Sequence, residues 1–181
     1  MKSIEILTPL NTHLIVFDFD GVFTDNHVYV CENGLESVRC SRYDGLGILM
    51  LQNYIIKKNL SLRLCVFTKE KNKVVSSRVK KMGLEVHSGV NNKLELLKTL
   101  LPADSFLEKV IFLGNDLNDF TIMKNIGLSV APYDAHPKIK SISHIVRPEN
   151  GGCGFVRGFI EDFLKLDYIN EEDINELISH S

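Results

Sequence analysis

An apolar run that ends in two carboxylates is the feature that most constrains the fold. Residues 14–17 read Leu-Ile-Val-Phe, and Asp18, Asp20 and Gly21 follow them closely. A continuous apolar run of this kind is typical of a strand buried on both faces, as in parallel sheets. Open α/β sheets bind their ligands beyond the carboxyl ends of the strands. The sequence therefore predicts a functional site at Asp18 and Asp20.

The two carboxylates favour a bound cation. Asp18 and Asp20 are close enough to repel each other, and a partly desolvated pair is tolerated mainly when a cation neutralises it. Oxygen ligands suit Mg²⁺, which binds one or two carboxylates, several waters and a substrate phosphate. A solvated, aspartate-rich turn is the alternative, and these residues alone do not separate the two interpretations.

Strands and helices alternate along the chain. Apolar runs predict strands at residues 62–67, 85–87, 110–113, 128–130 and 144–146. Helical spacing predicts helices from Gly45 onward, around 74–82, over 94–101 up to Pro102, and over 120–125. Asn33-Gly34 predicts a hairpin between residues 27–31 and 35–39. The alternation predicts a doubly wound parallel sheet with a projecting β-hairpin. One domain is expected over residues 1–168, and residues 169–181 form a tail in which Asn170 and an acidic first turn favour a short helix.

Composition excludes several classes of protein. A net charge of −2 over 181 residues argues against a nucleic-acid binder, which normally carries a basic field. No segment approaches 18 uninterrupted apolar residues, and the first residues lack the pattern of a signal peptide, so we expect no membrane association. The four cysteines have no zinc-ligand spacing, which favours reduced thiols and a cytoplasmic protein.

Polar residues collect at successive strand ends and predict phosphoryl transfer. They are Asp18, Asp20, Thr68, Lys93, Asn115, Asp116 and Asp119. A carboxylate can accept a phosphoryl group as an acyl phosphate, and a second carboxylate can protonate the leaving alcohol. A cation, a lysine and a hydroxyl stabilise the phosphoryl oxygens. Each residue taken singly is more often a helix cap or a solvated side chain than a catalytic group. Their joint occurrence in this order favours catalysis.

These motifs resemble a known family. Asp18-Phe-Asp20-Gly-Val, Thr68, Lys93 and residues 114–119 resemble the four motifs of the haloacid dehalogenase superfamily of phosphatases. Residues 42–47, 134–137 and 151–157 resemble its small capless branch. That branch contains phosphatases of 3-deoxy-octulosonate 8-phosphate and of nonulosonate 9-phosphates, and the C-terminal domain of some acylneuraminate cytidylyltransferases. The resemblance extends over roughly residues 12–165 and implies the superfamily's Rossmann-like fold without a cap domain.

The resemblance implies a role for each motif residue. Asp18 would be the nucleophile and Asp20 the general acid/base, while Thr68 and Lys93 would hold the phosphoryl oxygens. Mg²⁺ would be bound by the Asp18 carboxylate, the Asp20 main-chain carbonyl and the residue after Gly114. That residue is Asn115 here, where the family commonly has aspartate. Asp116 and Asp119 could compensate for the lost charge as direct or water-mediated partners.

Glu70 bears on the choice of substrate. Octulosonate phosphatases usually carry an arginine two residues after the motif threonine, and glutamate there would repel a substrate carboxylate. The run from Glu70 and the downstream Lys81 resemble the nine-carbon, sialic-acid-type members. The substrate contacts that the resemblance implies are Ser41, Arg42, Asp44, Gly45, Glu70, Arg78, Lys81 and Arg157. Gly158 departs from the glutamate that usually follows the arginine of the glycine-rich tail.

Four functions compete. The leading one is a Mg²⁺-dependent phosphatase of a nine-carbon keto sugar acid phosphate in sialic acid or lipopolysaccharide biosynthesis. In capless members the hairpins of four subunits assemble and neighbours close the site, so a homotetramer is expected. The alternatives are an octulosonate 8-phosphate phosphatase, a non-catalytic assembly module like the cytidylyltransferase domain, and a phosphoacceptor signalling domain. The last two need not carry both Asp18 and Asp20.

Overall fold

A six-stranded parallel sheet forms the centre of the structure, a computed structural model that describes residues 6–101 and 106–179. The strands in chain order are β1 (Leu14–Phe17), β2 (Thr24–Val30), β3 (Glu36–Cys40), β4 (Arg63–Phe67), β5 (Glu85–His87), β6 (Val110–Leu113), β7 (Leu128–Ala131) and β8 (Ile145–Val146). The sheet order is β5-β4-β1-β6-β7-β8. The predicted doubly wound sheet is confirmed, with β1 at its centre.

Seven α-helices flank the sheet in the described part of the chain. They are α1 (Arg42–Lys57), α2 (Lys73–Lys81), α3 (Lys93–Leu100), α4 (Phe120–Met123), α5 (Pro137–Lys140), α6 (Phe155–Leu164) and α7 (Glu171–Ile178). Alternate residues of β1 face opposite cores, because side chains alternate across a strand. Ile15 and Phe17 pack in the core of α1, α2 and α6, and Leu14 and Val16 pack in that of α3, α4 and α5.

The strand register determines where the polar side chains collect. Phe17, the last residue of β1, is paired with Val66 on one side and with Leu113 on the other. The residues that follow these strands therefore emerge at one edge of the sheet. Asp18, Thr68 and Asn115 each come within two residues of those pairs.

The hairpin of β2 and β3 forms a separate two-stranded sheet. Its first strand begins at Thr24, earlier than the predicted residue 27, and the register shifts between Thr24 and Val28, where Asn26 has φ 62°. Residues 27–30 are exposed, in contrast to the buried strands of the main sheet. The hairpin therefore projects from the fold.

Helix boundaries differ from the sequence prediction where caps or tertiary contacts decide them. Helix α1 begins at Arg42 and not near Gly45, because the Ser41 hydroxyl caps it by accepting from the backbone N–H of Tyr43. The helix predicted over residues 120–125 is a 3₁₀ turn, Leu117–Asp119, followed by the four residues of α4. Helix α6 was not predicted, and Pro102, the expected end of the helix at 94–101, lies outside the described residues.

The C-terminal tail contains helix α7, as its acidic first turn predicts. The Asn53 side chain donates to the carbonyl oxygen of Leu177 at 2.8 Å, and Lys57 forms ion pairs with Asp173 and Glu176. These contacts dock the tail on α1. No helix in residues 6–101 and 106–179 is long and apolar enough to cross a membrane.

Candidate active site

A cavity of about 340 Å³ opens at the carboxyl edge of β1, β4 and β6. It brings together six predicted site residues, which are Asp18, Asp20, Thr68, Glu70, Asn115 and Asp116. Asn26, Lys69, Leu117 and Asn118 complete its wall. The parallel register accounts for this convergence of residues that are distant in sequence.

A buried charge cluster lies at the base of the cavity. Asp18 is 4% exposed, and its Oδ1 accepts hydrogen bonds from the Phe19 backbone N–H and from Lys93 Nζ, both at 2.8 Å. Lys93, at the start of α3, also contacts Asp119 Oδ1 at 2.6 Å. Burial lowers the pKa of Lys93, but the charges of Asp18 and Asp119 outweigh it and raise the pKa above its ordinary value. Lys93 therefore stays a cation beside Asp18.

Asp119 lies behind the cavity wall. It is fully buried, and its Oδ2 accepts the backbone N–H groups of Asn115 at 2.9 Å and of Asp116 at 3.3 Å. Its Oδ1 is the oxygen bound by Lys93. Because both oxygens already have donors and the residue is not part of the cavity wall, Asp119 orients Lys93 and the loop after β6. Its role as a metal partner stays a prediction. Asp116 does line the cavity, where its side chain accepts from the Leu117 N–H.

Asp20 has the properties of a general acid near neutral pH. Burial raises its pKa to about 6, and the charges of Asp18, Glu70 and Glu36 add to the effect, while Lys93 opposes it. A carboxyl group with such a pKa can donate a proton and then, once ionised, accept one. Asp20 therefore differs from its neighbour Asp18, which Lys93 neutralises.

Thr68 presents a hydroxyl proton to the same cavity. The residue is 1% exposed, and its Oγ1 accepts the backbone N–H of Glu70 at 3.0 Å. This hydrogen bond uses a lone pair of the hydroxyl oxygen, so the hydroxyl proton remains available to an oxygen atom in the cavity.

Asn115 carries an orphaned acceptor that fits a cation. Its Oδ1 is buried and has no hydrogen-bond partner. Gly21, with φ 73°, packs so closely that an added Cβ would collide with the Asn115 amide. Across residues 6–101 and 106–179, no three histidine, cysteine, aspartate or glutamate side chains are grouped as metal ligands. A metal site here would consequently combine Asp18 with the Asn115 amide oxygen and main-chain oxygen, a ligand set that suits a hard cation.

Most of the predicted substrate contacts lie elsewhere. Arg42, Gly45, Arg78 and Lys81 line a groove of about 520 Å³ between α1 and α2, together with Leu46, Leu49 and Gln52. Arg78 Nη2 donates to the Ser41 carbonyl oxygen at 3.1 Å, and its Nε is buried without a partner. Within one chain, these residues do not reach the cavity of Asp18.

Asp44 and Arg157 have structural roles in this chain. Asp44 is 1% exposed, and its Oδ1 accepts the backbone N–H of Arg157 at 3.0 Å. The backbone N–H groups of Gly154 and Val156 also favour the charged form of this carboxyl, although its Oδ2 is buried without a hydrogen-bond partner. Asp44 therefore caps the start of α6, whose N-cap Gly154 has no side chain. The Arg157 side chain turns to Glu161, four residues along the helix, at 2.7 Å. Neither side chain lines the Asp18 cavity.

Gly158 also has a packing reason. A Cβ at this position would lie 2.8 Å from Arg147 Nη2 and 2.6 Å from Glu149 Oε1. Those two residues form a bidentate ion pair against α6. A glutamate at residue 158 would displace this pair, so the departure from the family pattern accompanies a local change in packing.

Sequence reasoning missed several residues of the cavity. Asn26 belongs to the positive-φ turn that starts the hairpin, and Asn118 lies inside the loop after β6. Proximity to Asp25 and Asp119 was the only signal in the sequence. The packing role of the glycine-rich loop was also missed. Gly151 lies so close to Gly21 that a Cβ would collide with the Gly21 carbonyl oxygen, and we call this contact the Gly151 brace.

Comparison with known proteins identifies the family. A model of haloacid dehalogenase-like hydrolases matches residues 2–157. The chain is 34% identical over 149 residues to the 3-deoxy-D-manno-octulosonate 8-phosphate phosphatase KdsC of Salmonella typhi, which covers 81% of this chain and 76% of that protein. A HAD family hydrolase from Streptomyces avermitilis is similar in structure, with a TM-score of 0.81, 30% identity and coverage of 93% and 95% of the two chains. The 3-deoxy-D-manno-octulosonate 8-phosphate phosphatase of Yersinia pestis is also similar in structure, with a TM-score of 0.75, 31% identity and coverage of 87% of this chain and 83% of that chain. The chain therefore belongs to the haloacid dehalogenase-like hydrolases, and it is a phosphatase.

Proposed function

We propose that this phosphatase hydrolyses a keto sugar acid phosphate in two steps, through a phosphoryl group carried on Asp18. The observation that carries the proposal is the pairing of two unlike carboxylates at one strand end. Asp18 is buried against the Lys93 cation, while Asp20 has a pKa raised to about 6. This difference separates a nucleophile from a general acid.

The first step forms the bond from Asp18 to phosphorus and breaks the bond from phosphorus to the leaving oxygen. Lys93 and the Phe19 N–H both hold Oδ1 of Asp18, which leaves Oδ2 to attack. Asp20 gives its proton to the departing alcohol, and Thr68 and Lys93 supply donors to the phosphoryl oxygens. In the second step the Asp20 carboxylate takes a proton from water, which attacks phosphorus and releases phosphate and free Asp18.

A divalent cation, which we propose to be Mg²⁺, fits the oxygen atoms at this site. The Asp18 carboxylate, the Asp20 main-chain carbonyl and the unpartnered Oδ1 of Asn115 would hold it. When bound, it would neutralise negative charge on the phosphoryl oxygens. Asp116, exposed on the cavity wall, would contribute through water.

A nine-carbon acid 9-phosphate is the substrate that Glu70 favours. Glu70 lines the cavity, and its charge acts on Asp20, so a carboxylate placed close to it would be repelled. Hydroxyl or acylamino groups could instead donate to Glu70. The octulosonate 8-phosphate is the second candidate, because the 34%-identical relative carries that name. Dephosphorylation of either candidate substrate would release an acidic sugar of the kind found on cell surfaces.

Assembly into a homotetramer would give the α1–α2 groove a role. Val28, Tyr29, Val30 and Leu35 of the hairpin are 51–66% exposed, an apolar surface suited to contact between copies. Arg42, Arg78 and Lys81 would then contact the substrate carboxylate in a neighbouring subunit's site. The same proposal places the enzyme in the cytoplasm, where its free cysteines would stay reduced.

An assay with both candidate substrates tests the reaction. Enzyme treated with EDTA should regain activity with Mg²⁺ and should prefer the nine-carbon substrate in kcat/KM. Asp18→Asn should abolish turnover, whereas Asp25→Asn, at an aspartate that pairs with Arg39 outside the cavity, should remain active. Substantial turnover by Asp18→Asn would reject the mechanism, and a preference for the eight-carbon substrate would reject the choice of sugar.

Mixed oligomers test the role of the groove. Asp18→Asn should be inactive alone and Arg78→Ala should be weakly active alone, but a refolded mixture of the two should recover activity. In the mixture an intact Asp18 can meet an intact Arg78 from a neighbour. Absence of recovery in a mixture shown to contain both chains would contradict the proposed contact between subunits.

A further inference from the structure

A second cavity of about 260 Å³ adjoins the active site on the side of Asp20. It shares Asp20, Asn26 and Glu70 with the first cavity, so these three residues border both. Its remaining wall comes from the hairpin and from the start of α2, and consists of His27, Val28, Glu36, Val38, Asn72, Val74 and Val75. Because Asp20 would protonate the leaving oxygen, the leaving alcohol must lie on this side.

Glu36 is held at this cavity by a specific contact. Its Oε2 accepts from Asn72 Nδ2 at 2.5 Å, and the Oδ1 atom of the same asparagine accepts the Val74 N–H at 3.0 Å. Asn72 thereby caps α2 and ties strand β3 of the hairpin to it. Glu36 and Asp20 both line this cavity, so the Glu36 carboxylate and the general acid face the same space.

Apart from His27, the ionisable groups around the second cavity are carboxyl groups. Asp20, Glu36 and Glu70 contribute carboxylates, and neither lysine nor arginine is among the described residues of its wall. Carboxylates accept hydrogen bonds from hydroxyl groups and repel other anions. The valines add apolar surface against which a carbon chain can pack.

We propose that this cavity is the leaving-group subsite and that Glu36 is a specificity-determining residue, which accepts hydrogen bonds from neutral hydroxyl groups and repels an anionic group. The inference rests on the proposed function, because it needs a leaving alcohol beside Asp20. It also requires the carboxylate of a long sugar acid to pass beyond this cavity, whereas a carboxylate about five carbons from the phosphate would fall inside it.

Two six-carbon phosphates of equal length provide the probes. Glucitol 6-phosphate carries only hydroxyl groups, and gluconate 6-phosphate ends in a carboxylate. We expect the wild-type protein to hydrolyse the first with the higher kcat/KM. Glu36→Gln keeps an acceptor for Asn72 but removes the charge, so the ratio should narrow by about fivefold to tenfold, mainly through KM for the anionic probe. Glu32→Gln, on the same hairpin but outside both cavities, is the matched control and should leave the ratio unchanged.

Salt dependence gives a readout that a merely structural role would not alter. Added salt screens the repulsion, so the wild-type ratio should shrink with ionic strength more steeply than the Glu36→Gln ratio, which keeps only the repulsion from Asp20 and Glu70. Hydrolysis of both probes with a ratio insensitive to Glu36→Gln would overturn the inference alone. Absence of Mg²⁺-dependent hydrolysis of every probe and of both sugar acid phosphates would overturn the proposed function and the inference together.

Discussion

Replacing Lys93 with methionine should destabilise the fold far more than an ordinary lysine substitution. The variant keeps most of the side-chain volume but removes the ammonium group that bridges Asp18 and Asp119. Those residues are 4% and 0% exposed, so water cannot replace the lost cation. Removing one partner of a buried ion pair costs about 3–5 kcal/mol. For a protein of this size that corresponds to a fall in Tm of about 6–20 °C.

Urea unfolding of matched variants measures the effect. Lys98→Met is the control, because Lys98 lies on the same helix and pairs with Glu95 at 2.8 Å, but both side chains are more than half exposed. An exposed pair of this kind contributes at most about 1 kcal/mol. Both variants should be measured with EDTA present, since a cation bound at Asp18 would offset part of the loss.

The pH dependence follows from the charges left behind. Burial and the charge of Asp18 raise the pKa of Asp119 to about 7 although Lys93 opposes the shift, so removal of the cation should raise this pKa further. A group of that kind contributes stability at low pH that is lost as pH rises through the folded-state pKa. The deficit of Lys93→Met should therefore be largest at neutral pH and shrink as the pH falls.

If Lys93→Met loses no more unfolding free energy than Lys98→Met at neutral pH, the buried cluster does not hold the loops together as described. Phosphatase activity gives a second measure, because removal of one preorganised donor to a developing oxyanion costs about 10²–10³ in kcat. Activity of Lys93→Met near that of the wild type would contradict the role of Lys93.

Two further changes test other parts of the fold. Burial raises the pKa of Asp44 from 3.8 to about 6, so this group's stability contribution is full below pH 3.8 and is lost as pH rises through 6. Asp44→Asn should flatten that part of the stability profile measured by urea unfolding, and an unchanged slope would reject the assignment. Gly151→Ala should lower kcat by up to about 100-fold, because its Cβ displaces Gly21 beside Asp20. Gly34→Ala is the control, because its Cβ meets nothing within 4 Å, and it should lose only the modest unfolding free energy that a left-handed backbone conformation costs an alanine. Equal losses of activity in the two variants would refute the Gly151 brace.

Much of the fold follows from hydrophobic pattern. Buried apolar runs at β1 and β6 read directly as strands, since a strand in a parallel sheet must be apolar on both faces. The Asn33-Gly34 turn likewise predicts the hairpin. Element boundaries were less predictable. The start of α1 depends on the Ser41 cap, and α6 follows a glycine-rich stretch that signals a loop, although Phe155, Val156, Phe159 and Ile160 are all buried in a helix.

The sequence by itself determined the residues that follow the central strands. Asp18, Thr68 and Asn115 were predictable as a group because parallel strands in register deliver their carboxyl ends to one edge. Side-chain partners across the fold were not predictable in this way. Only the tertiary structure decided that Asp44 caps α6, that Asp119 lies behind the wall, and that the Arg78 groove is separate from the cavity. Pattern specifies which face or end of an element a residue occupies, but hydrogen-bond partners depend on how helices far apart in the chain pack together.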